Sequence, residues 1–265
     1  MLHVNEVPRN FRDGLKVSDL AREIKPDANL FIVNGHPVSP SHVLEDGDSC
    51  WLIRKGEKPP AEELERLLYA RHTPGVHEKV KNASVGIMGL GGLGSLVAVA
   101  LARVGIGHLL LADFDLVEPS NLNRQQYFID QIGEKKIDAL KDNLARINPY
   151  LRIEIIDVIL TEESIPVLFN EVDVLAECFD GAEMKAAAMR CALGPLAGKG
   201  FVGASGLAGY EDCNMIRTRK IRERVYLVGD NETAARPGRG LMAPRVGVAA
   251  HHQANQILRL LLGVS

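Results

Sequence analysis

Side chains able to bind a nucleotide are concentrated in one short stretch, residues 113–126, with the sequence DFDLVEPSNLNRQQ. The candidate binding residues are Asp113, Asn121, Arg124, Gln125 and, ten positions after the stretch, Lys136. A carboxylate can accept hydrogen bonds from a ribose, and arginine and lysine supply the positive charge that phosphates need. Lys135 could serve in place of Lys136, and Asn121 could alternatively close an Asx turn. These residue types predict a nucleotide site.

A glycine-rich segment precedes that stretch, with Gly89, Gly91 and Gly94 in the spacing G-x-G-x-x-G and a further glycine at Gly92. An apolar run leads into it and small residues at helical spacing follow, which predicts a strand, a tight turn and a helix. Glycine permits the turn, close approach of a phosphate and close packing of the helix, whose first N–H groups bind anions. Asp113 follows Gly94 by 19 positions, near the spacing of about 20 expected for a ribose-binding acid. NAD, FAD and ATP all remain open.

One more acid, Asp180, follows an apolar run at residues 172–178 that is typical of a buried parallel strand. Ligands of open α/β sheets bind beyond the carboxyl ends of the strands, so Asp180 is expected near Arg124 and Lys136. A phosphate loop, several cations and an acid able to hold Mg²⁺ suit a triphosphate better than a dinucleotide, since an additional carboxylate would repel a pyrophosphate. The pattern therefore favours ATP with magnesium.

Alternating strands and helices are expected to position these residues. Predicted strands begin at Val85 and occupy residues 108–113, 152–159, 172–178 and 200–204, with predicted helices at 134–147, 161–169, 181–193 and 246–262. This alternation predicts an α/β fold, a doubly wound Rossmann-like domain over residues 83–265. The polar, glycine-rich residues 228–240 are predicted to form a mobile loop.

The first 57 residues have a different pattern. Strands at 2–4, 30–33 and 50–53 and a helix at 17–24 predict a small ubiquitin-like β-grasp domain over residues 1–57. Residues 58–82 start with two prolines and contain two helical patterns, at 61–70 and 76–81, so they are expected to form a linker with helices.

Composition excludes several classes of protein. The net charge of -3 over 265 residues argues against nonspecific binding of nucleic acid. A run of 18 apolar residues and a signal peptide are both missing, so we expect a cytoplasmic protein without a membrane span. The four cysteines are scattered without a C-x-x-C pair, which predicts neither a disulfide framework nor a structural zinc site.

The motifs together resemble those of the ubiquitin-activating superfamily, and the bacterial ThiF, MoeB and HesA group of sulfur-carrier adenylyltransferases is the most similar. The resemblance covers residues 61–265 and rests on the glycine motif, Asp113-x-Asp115, SNLxRQ at residues 120–125, Lys136, Asp180 and the segment 241–247. The N-terminal residues resemble small sulfur carriers such as ThiS. The whole chain is therefore similar to a ThiF-like branch in which a ThiS-like β-grasp domain is fused ahead of the adenylation domain.

The resemblance implies an enzyme, a nucleotidyltransferase in which the C-terminal glycine carboxylate of a carrier attacks the α-phosphorus of MgATP and releases pyrophosphate. A sulfur donor then displaces AMP and leaves a thiocarboxylate, in thiamine or related sulfur-compound biosynthesis. By motif match, Asp113 would hold the ribose, and Asp180 would bind magnesium. The phosphates would be held by Asn121, Arg124 and Lys136, with Gln125 lining the pocket. Arg71 would reach into the ATP site of a partner subunit, which implies a homodimer.

Two departures from the family limit what the resemblance implies. The β-grasp segment continues past residue 57 and does not end in the Gly-Gly that a carrier needs, so a separate ThiS-like carrier with a Gly-Gly tail is the expected partner. Residues 228–240 lack the cysteine that some relatives use for a covalent sulfur intermediate, and Cys213 is the nearest thiol.

Three alternatives remain open at the level of sequence. The enzyme could adenylate another carboxylate, on a small molecule or a modified tRNA base. It could be an NAD-dependent oxidoreductase, although two cations and Asp180 argue against that reaction. It could also be a scaffold in which the ubiquitin-like domain docks a partner and ATP is structural.

Overall fold

The computed structural model describes residues 1–264, except for the side chains of residues 61 and 62; Ser265, which ends the predicted adenylation domain, lies outside it. The chain divides into two compact units, here called the N-terminal unit, Met1–Glu78, and the C-terminal unit, which starts at Lys79. Within residues 1–264, no helix is long and apolar enough to cross a membrane.

The N-terminal unit has a mixed five-stranded sheet. Its strands are β1 (Leu2–Val4), β2 (Val7–Arg9), β3 (Leu30–Val33), β4 (His36–Val38) and β5 (Ser49–Ile53), in the order β2-β1-β5-β3-β4. The first and last strands, β1 and β5, run parallel at the centre, and the remaining pairs are antiparallel. Its helices are α1 (Val17–Ile24), α2 (Ala61–Leu68) and α3 (Val76–Val80), the last of which ends across the unit boundary.

Both faces of this sheet carry apolar side chains, as the period of two in a strand allows. Cys50 and Leu52 of β5 belong to a core that also contains Val17 and Leu20 of α1. Trp51, between them in sequence, belongs to a second cluster on the other face. The predicted ubiquitin-like β-grasp fold is confirmed.

The C-terminal unit has a seven-stranded sheet in the order β11-β12-β10-β9-β6-β7-β8. Its strands are β6 (Ser84–Met88), β7 (His108–Asp113), β8 (Arg152–Asp157), β9 (Val174–Glu177), β10 (Gly200–Ala204), β11 (Arg217–Arg222) and β12 (Val225–Gly229). All neighbouring pairs are parallel except β11 with β12. The predicted doubly wound α/β fold is therefore confirmed, with an antiparallel hairpin at one end that the sequence did not predict.

Helices follow five of the seven strands of the C-terminal unit, and the last helix follows the last strand. They are α4 (Gly92–Val104), α5 (Lys136–Ile147), α6 (Ser164–Leu168), α7 (Ala182–Leu193) and α8 (Ala243–Leu261). The chain leaves β6 toward β7 on one side, while β9 lies on the other side of β6. The strand order therefore reverses at β6 and β9, and a crevice for ligands is expected beyond their carboxyl ends.

Residues 228–240 form the predicted loop except at their start. Val228 and Gly229 belong to β12, and Asp230 accepts hydrogen bonds from the backbone N–H groups of Glu232 and Thr233, at 2.8 Å each. Farther along, Arg236 and Arg239 form an isolated antiparallel bridge. The loop is therefore confirmed for residues 230–240 and wrong for residues 228–229, because composition alone did not reveal where β12 ends. The mobility of this segment stays a prediction.

Candidate active site

The glycine turn between β6 and α4 is fixed by hydrogen bonds to the neighbouring strand and loop. The Leu90 N–H donates to Asp113 Oδ2 at 2.6 Å, and the Leu90 carbonyl accepts from the Tyr127 hydroxyl at 2.8 Å. The Gly89 N–H donates to the carbonyl of Ala112 at 2.9 Å. Burial and the negative charges of Asp113 and Asp115 raise the pKa of Tyr127, so its hydroxyl stays a donor at neutral pH.

The glycines of the motif have two different roles. Gly89 has φ of +88°, and a Cβ at Gly94 would lie 1.9 Å from the Gly89 carbonyl oxygen, so both positions need glycine for the fold itself. At Gly91, in contrast, the nearest atom to an added Cβ is Gln125 Nε2, at 3.8 Å. The turn is therefore closely packed at Gly89 and Gly94 and open at Gly91. This opening lies beside the first N–H groups of α4, which have no partner within the helix.

Arg124 and Gln125 lie at this opening, and each has a buried polar atom without a hydrogen-bond partner. In residues 1–264 these atoms include Arg124 Nε and Gln125 Oε1. Arg124 Nη1 donates to the carbonyl of Ser120 at 3.1 Å and to Asn123 Oδ1 at 2.8 Å, and its Cγ would lie 3.3 Å from a Cβ at Gly92. Buried polar atoms normally have partners, so the two unpartnered atoms indicate a polar ligand. Arg124 Nε is a donor and fits a phosphate oxygen of ATP, whereas Gln125 Oε1 is an acceptor and fits a hydroxyl or amino donor of the nucleotide.

Lys136 is 5% exposed at the start of α5, and its Nζ donates to Asp115 Oδ2 at 2.6 Å. Its backbone N–H donates to the Asp115 carbonyl at 2.9 Å, which keeps the start of the helix beside the loop. The adjacent Lys135 forms an exposed ion pair with Asp157. This geometry favours Lys136 over Lys135, which the sequence left open, as the cation nearer the predicted site.

Asp113 and Asn121 are buried and already bonded to the loop. Asp113 Oδ1 accepts from the Asp115 N–H at 2.8 Å, in addition to its bond to Leu90. Asn121 Oδ1 accepts from the Glu118 N–H at 3.1 Å, which is a turn-closing contact. Each carboxylate oxygen has a second lone pair, so Asp113 retains acceptor capacity for a ribose. The ligand roles of both residues stay predictions.

Asp180 is exposed, three residues beyond β9. The segment before it lies against the glycine turn, since a Cβ at Gly89 would be 3.0 Å from the Cys178 carbonyl oxygen and 3.6 Å from the Phe179 ring. An exposed carboxylate at this edge suits an oxygen-seeking cation such as Mg²⁺. No group of three or more His, Cys, Asp or Glu side chains in residues 1–264 is placed to hold a metal ion. Arg71 belongs to the other unit and is exposed.

The loop that carries Asp180 is held by a buried residue that the sequence did not indicate. Glu177, 2% exposed, accepts hydrogen bonds from the Phe179 N–H at 2.8 Å and from Lys185 Nζ at 2.9 Å. Gln253 of α8 donates to the Glu177 and Val202 carbonyls at 2.8 and 2.7 Å. The one signal of this contact in the sequence was Gln253, a glutamine within the apolar stripe of α8. A polar residue at such a position needs specific hydrogen-bond partners.

A buried ion pair lies where α8 begins. Arg245 Nη2 donates to Asp230 Oδ2 at 2.5 Å, and both side chains are at most 3% exposed. Burial opposes ionisation of Asp230, but hydrogen bonds from Thr233, Glu232 and Arg245 outweigh it and lower the pKa to about 2. Arg245 was part of the segment that carried the resemblance, whereas Asp230 gave no sequence signal.

A profile of the ThiF family matches residues 65–265 of this chain. The chain belongs to the ThiF family. A second profile, of ThiS-like ubiquitin, matches residues 1–56. The resemblance predicted from sequence, a ThiF domain behind a ThiS-like domain, is thereby confirmed, and with it the prediction of a nucleotidyltransferase.

Relatives and solved structures agree with this ThiF assignment. Molybdopterin-synthase adenylyltransferase of Escherichia coli (strain K12) is 32% identical over 192 residues, which cover 70% of this chain and 76% of that protein. Ubiquitin-like modifier-activating enzyme 5 of Caenorhabditis elegans is 34% identical over 122 residues, 42% of this chain and 29% of that protein. The structure of E. coli tRNA N6-threonylcarbamoyladenosine dehydratase in complex with ATP aligns with a TM-score of 0.67 at 23% identity, covering 75% of this chain and 93% of that one. That likeness shows the fold.

Proposed function

We propose that this enzyme transfers the AMP of ATP to the C-terminal glycine carboxylate of a separate ubiquitin-like sulfur carrier and releases pyrophosphate. The observation that carries the proposal is the pair of buried, unpartnered atoms, Arg124 Nε and Gln125 Oε1, beside the open position at Gly91. The relative named molybdopterin-synthase adenylyltransferase supports the same kind of transfer. The product would feed thiocarboxylate formation for thiamine or a related sulfur compound.

The chemistry needs positioning and charge stabilisation more than proton transfer. A carboxylate oxygen of the carrier forms a bond to the α-phosphorus while the bond from that phosphorus to the bridging oxygen breaks, and pyrophosphate leaves with the electron pair. The carboxylate is ionised at neutral pH, so no base is required. Negative charge grows on the phosphate oxygens, and Arg124 and Lys136 would stabilise it in a site where water is partly excluded.

Magnesium would be held by Asp180 together with phosphate oxygens, and it would neutralise charge on the triphosphate. Asp113 would accept from the ribose hydroxyls with its remaining lone pairs. Asn121 would contribute its amide to the phosphates, and Gln125 would line the pocket. Lys136 would exchange Asp115, whose carboxylate is 47% exposed, for a phosphate when ATP binds.

The partner is proposed to be a separate protein because the β-grasp domain of this chain has no free C-terminus. Its last strand, β5, is followed by residues 54–60 and then by α2. The relative named ubiquitin-like modifier-activating enzyme 5 supports a partner of the ubiquitin-like kind. A Gly-Gly tail on that partner, a homodimer in which Arg71 adds a cation to the triphosphate of the neighbouring subunit, and a cytoplasmic location complete the proposal.

A second candidate acceptor is a carboxylate on a modified tRNA base. The structural similarity to E. coli tRNA N6-threonylcarbamoyladenosine dehydratase favours it, since the adenylating fold is shared. The ThiS-like domain at residues 1–56 favours the protein acceptor instead. The two acceptors give different results in the same assay.

The deciding experiment is ATP–pyrophosphate exchange, measured with carriers that end in Gly-Gly, with tailless forms of the same carriers and with tRNA. We expect exchange only with an intact tail and a loss of at least about 100-fold in Asp180→Ala, as for removal of one transition-state contact. The matched control is Asp142→Ala, an exposed acid on α5, with unchanged exchange. Exchange that depends on tRNA and not on a carrier would contradict the proposed substrate.

The homodimer is tested by mixing two variants that are each expected to be impaired in exchange. Arg71→Ala lacks the contributed arginine and Asp180→Ala lacks the magnesium ligand, so a mixed dimer would hold one complete site. We expect the mixture to regain part of the exchange activity after refolding or co-expression. A mixed dimer without activity would rule out a contribution of Arg71 across the interface.

A further inference from the structure

The N-terminal unit uses one face of its sheet to hold helix α2. Ile32 and Trp51 on that face, 2% and 6% exposed, form a cluster with Ala70, against which Leu67 packs. The opposite face already packs against α1. The sheet is thus covered on both sides, and the segment that covers its second face is the one that leads to Arg71.

Polar contacts fix α2 in the same position. Lys25 Nζ and Glu63 Oε1 are 2.8 Å apart with side chains only 20% and 25% exposed, and Arg66 Nη1 donates to the Asn5 carbonyl at 3.4 Å. Partial burial of both charges makes the Lys25–Glu63 pair less screened than a surface pair. These contacts connect both the first and the last turn of α2 to the β-grasp elements.

The backbone at Arg71 rests directly on the turn between β3 and β4. Gly35 in that turn has φ of +83°, and a Cβ there would lie 2.9 Å from the His72 carbonyl oxygen and 3.3 Å from that of Arg71. Tyr69, 4% exposed, stacks its ring on His77 with centroids 3.8 Å apart. The backbone around Arg71 therefore packs against the β3–β4 turn, while the Arg71 side chain itself is exposed.

We propose that the β-grasp domain of this chain is a rigid platform that presents Arg71 to the triphosphate of ATP. The inference rests on the proposed function, in which Arg71 enters the ATP site of the partner subunit. A guanidinium on a free linker would lose conformational entropy on binding phosphate, whereas one on a packed unit is preorganised. The fused domain thus contributes to ATP binding although it cannot be adenylated itself.

The test measures the affinity of the full-length protein for a non-hydrolysable ATP analogue with magnesium, and for AMP, by calorimetry. Arg71→Ala is expected to lose about tenfold or more in affinity for the ATP analogue, the effect of one charge-assisted hydrogen bond, and little for AMP. Gly35→Ala, which displaces the Arg71 backbone, is expected to lower the same affinity toward that of Arg71→Ala. Adding Gly35→Ala to Arg71→Ala should then cause no further loss.

The matched control is Gly14→Ala. Gly14 has φ of +74° and no atom within 4 Å of an added Cβ, so the substitution creates the same kind of backbone strain in the same unit without touching the Arg71 segment. We expect it to bind the ATP analogue like the wild type. Equal losses in Gly14→Ala and Gly35→Ala, or a wild-type affinity in Gly35→Ala, would overturn the platform.

A second pair of variants covers the case in which Gly35→Ala does not fold. Lys25→Glu repels Glu63 and should lower affinity for the ATP analogue, and the double variant Lys25→Glu with Glu63→Lys should restore it. No loss in the single variant, or no rescue in the double one, would contradict the proposal.

Arg124→Ala distinguishes a failure of the platform from a failure of the proposed function. If Arg124→Ala abolishes binding of the ATP analogue while Arg71→Ala leaves it unchanged, the platform and the proposed role of Arg71 are both wrong, and the proposed adenylation of a carrier stands. If the wild type itself does not bind the ATP analogue, the proposed function fails.

Discussion

Two ion pairs of the C-terminal unit, Asp230–Arg245 and Asp115–Lys136, differ in how completely they are enclosed. In the first, both side chains are at most 3% exposed, and Asp230 also accepts from Thr233 and Glu232. In the second, Lys136 is buried but the Asp115 carboxylate is 47% exposed. An enclosed pair is costly to separate, whereas a half-open pair can exchange one partner for a ligand. We therefore assign Asp230–Arg245 to the fold and propose that Lys136 serves the site.

The largest effect is expected from Asp230→Ala. It leaves the Arg245 guanidinium buried without its carboxylate, so the free energy of unfolding should fall by about 3–5 kcal/mol. Urea unfolding followed by circular dichroism measures the loss. Glu232→Ala, an exposed neighbour, is the control and should change the unfolding free energy by less than about 0.5 kcal/mol. A loss of unfolding free energy in Asp230→Ala no larger than that in Glu232→Ala would contradict the assignment of the Asp230–Arg245 pair to the fold.

Lys136→Met should mainly affect catalysis. The substitution preserves the apolar stem and deletes the charge, so pyrophosphate exchange should fall by about 100- to 1000-fold while the protein remains folded. Lys135→Met, in the exposed pair with Asp157, is the neighbouring control and should keep its exchange rate. A large loss in Lys135→Met with little loss in Lys136→Met would reverse the assignment.

The pH dependence of stability should reveal the enclosed pair. The pKa of Asp230 is about 2 in the folded protein against 3.8 for a free side chain, so its stabilising contribution is complete above about pH 5 and is lost as the pH falls toward 2. This loss amounts to about 2 kcal/mol. Unfolding free energies of wild type and Asp230→Asn should therefore converge between pH 5 and pH 2. Parallel curves would show that Asp230 does not titrate with folding.

The smallest effect is expected from Asp115→Asn. The amide retains an acceptor for Lys136, and half-exposed pairs contribute little, so the unfolding free energy should change by less than about 1 kcal/mol. Affinity for ATP, measured by calorimetry, should stay within a few-fold of the wild type. A loss as large as that of Lys136→Met would mean that Asp115 itself acts on the ligand.

The sequence predicted most of the fold from local patterns. The strand beginning at Val85 and the small residues after the glycines were confirmed as β6 and α4, because periodicity and glycine spacing are local signals. The hairpin of β11 and β12 was not predicted, since Arg217–Arg222 is mostly charged and exposed and gives no apolar alternation. The helix predicted over 134–147 begins at Lys136 because the two residues before it are bonded to the loop at 116–117.

The candidate site was predicted in part. Arg124 and Gln125 lie beside the glycine motif, and Lys136 contacts the same loop through Asp115. Their roles toward a ligand stay predictions. The sequence did not indicate the buried acids Glu177 and Asp230 or the lysine that pairs with Glu177, Lys185. A charged residue that is buried cannot be distinguished in the sequence from an exposed one until its partners are known. The partners of these three residues are separated from them by between 2 and 76 positions, for example Phe179 from Glu177 and Gln253 from the Glu177 carbonyl.

By itself the sequence determined the order of elements, the family motifs and the chemistry available at the carboxyl edge, because each of these depends on residue type and short spacing. Only the tertiary structure decided which charges are enclosed, which remain open to a ligand, and that the segment around Arg71 rests on the turn at Gly35. Burial and pairing depend on residues far apart in the chain, and burial sets both the cost of an unpaired charge and the strength of a paired one.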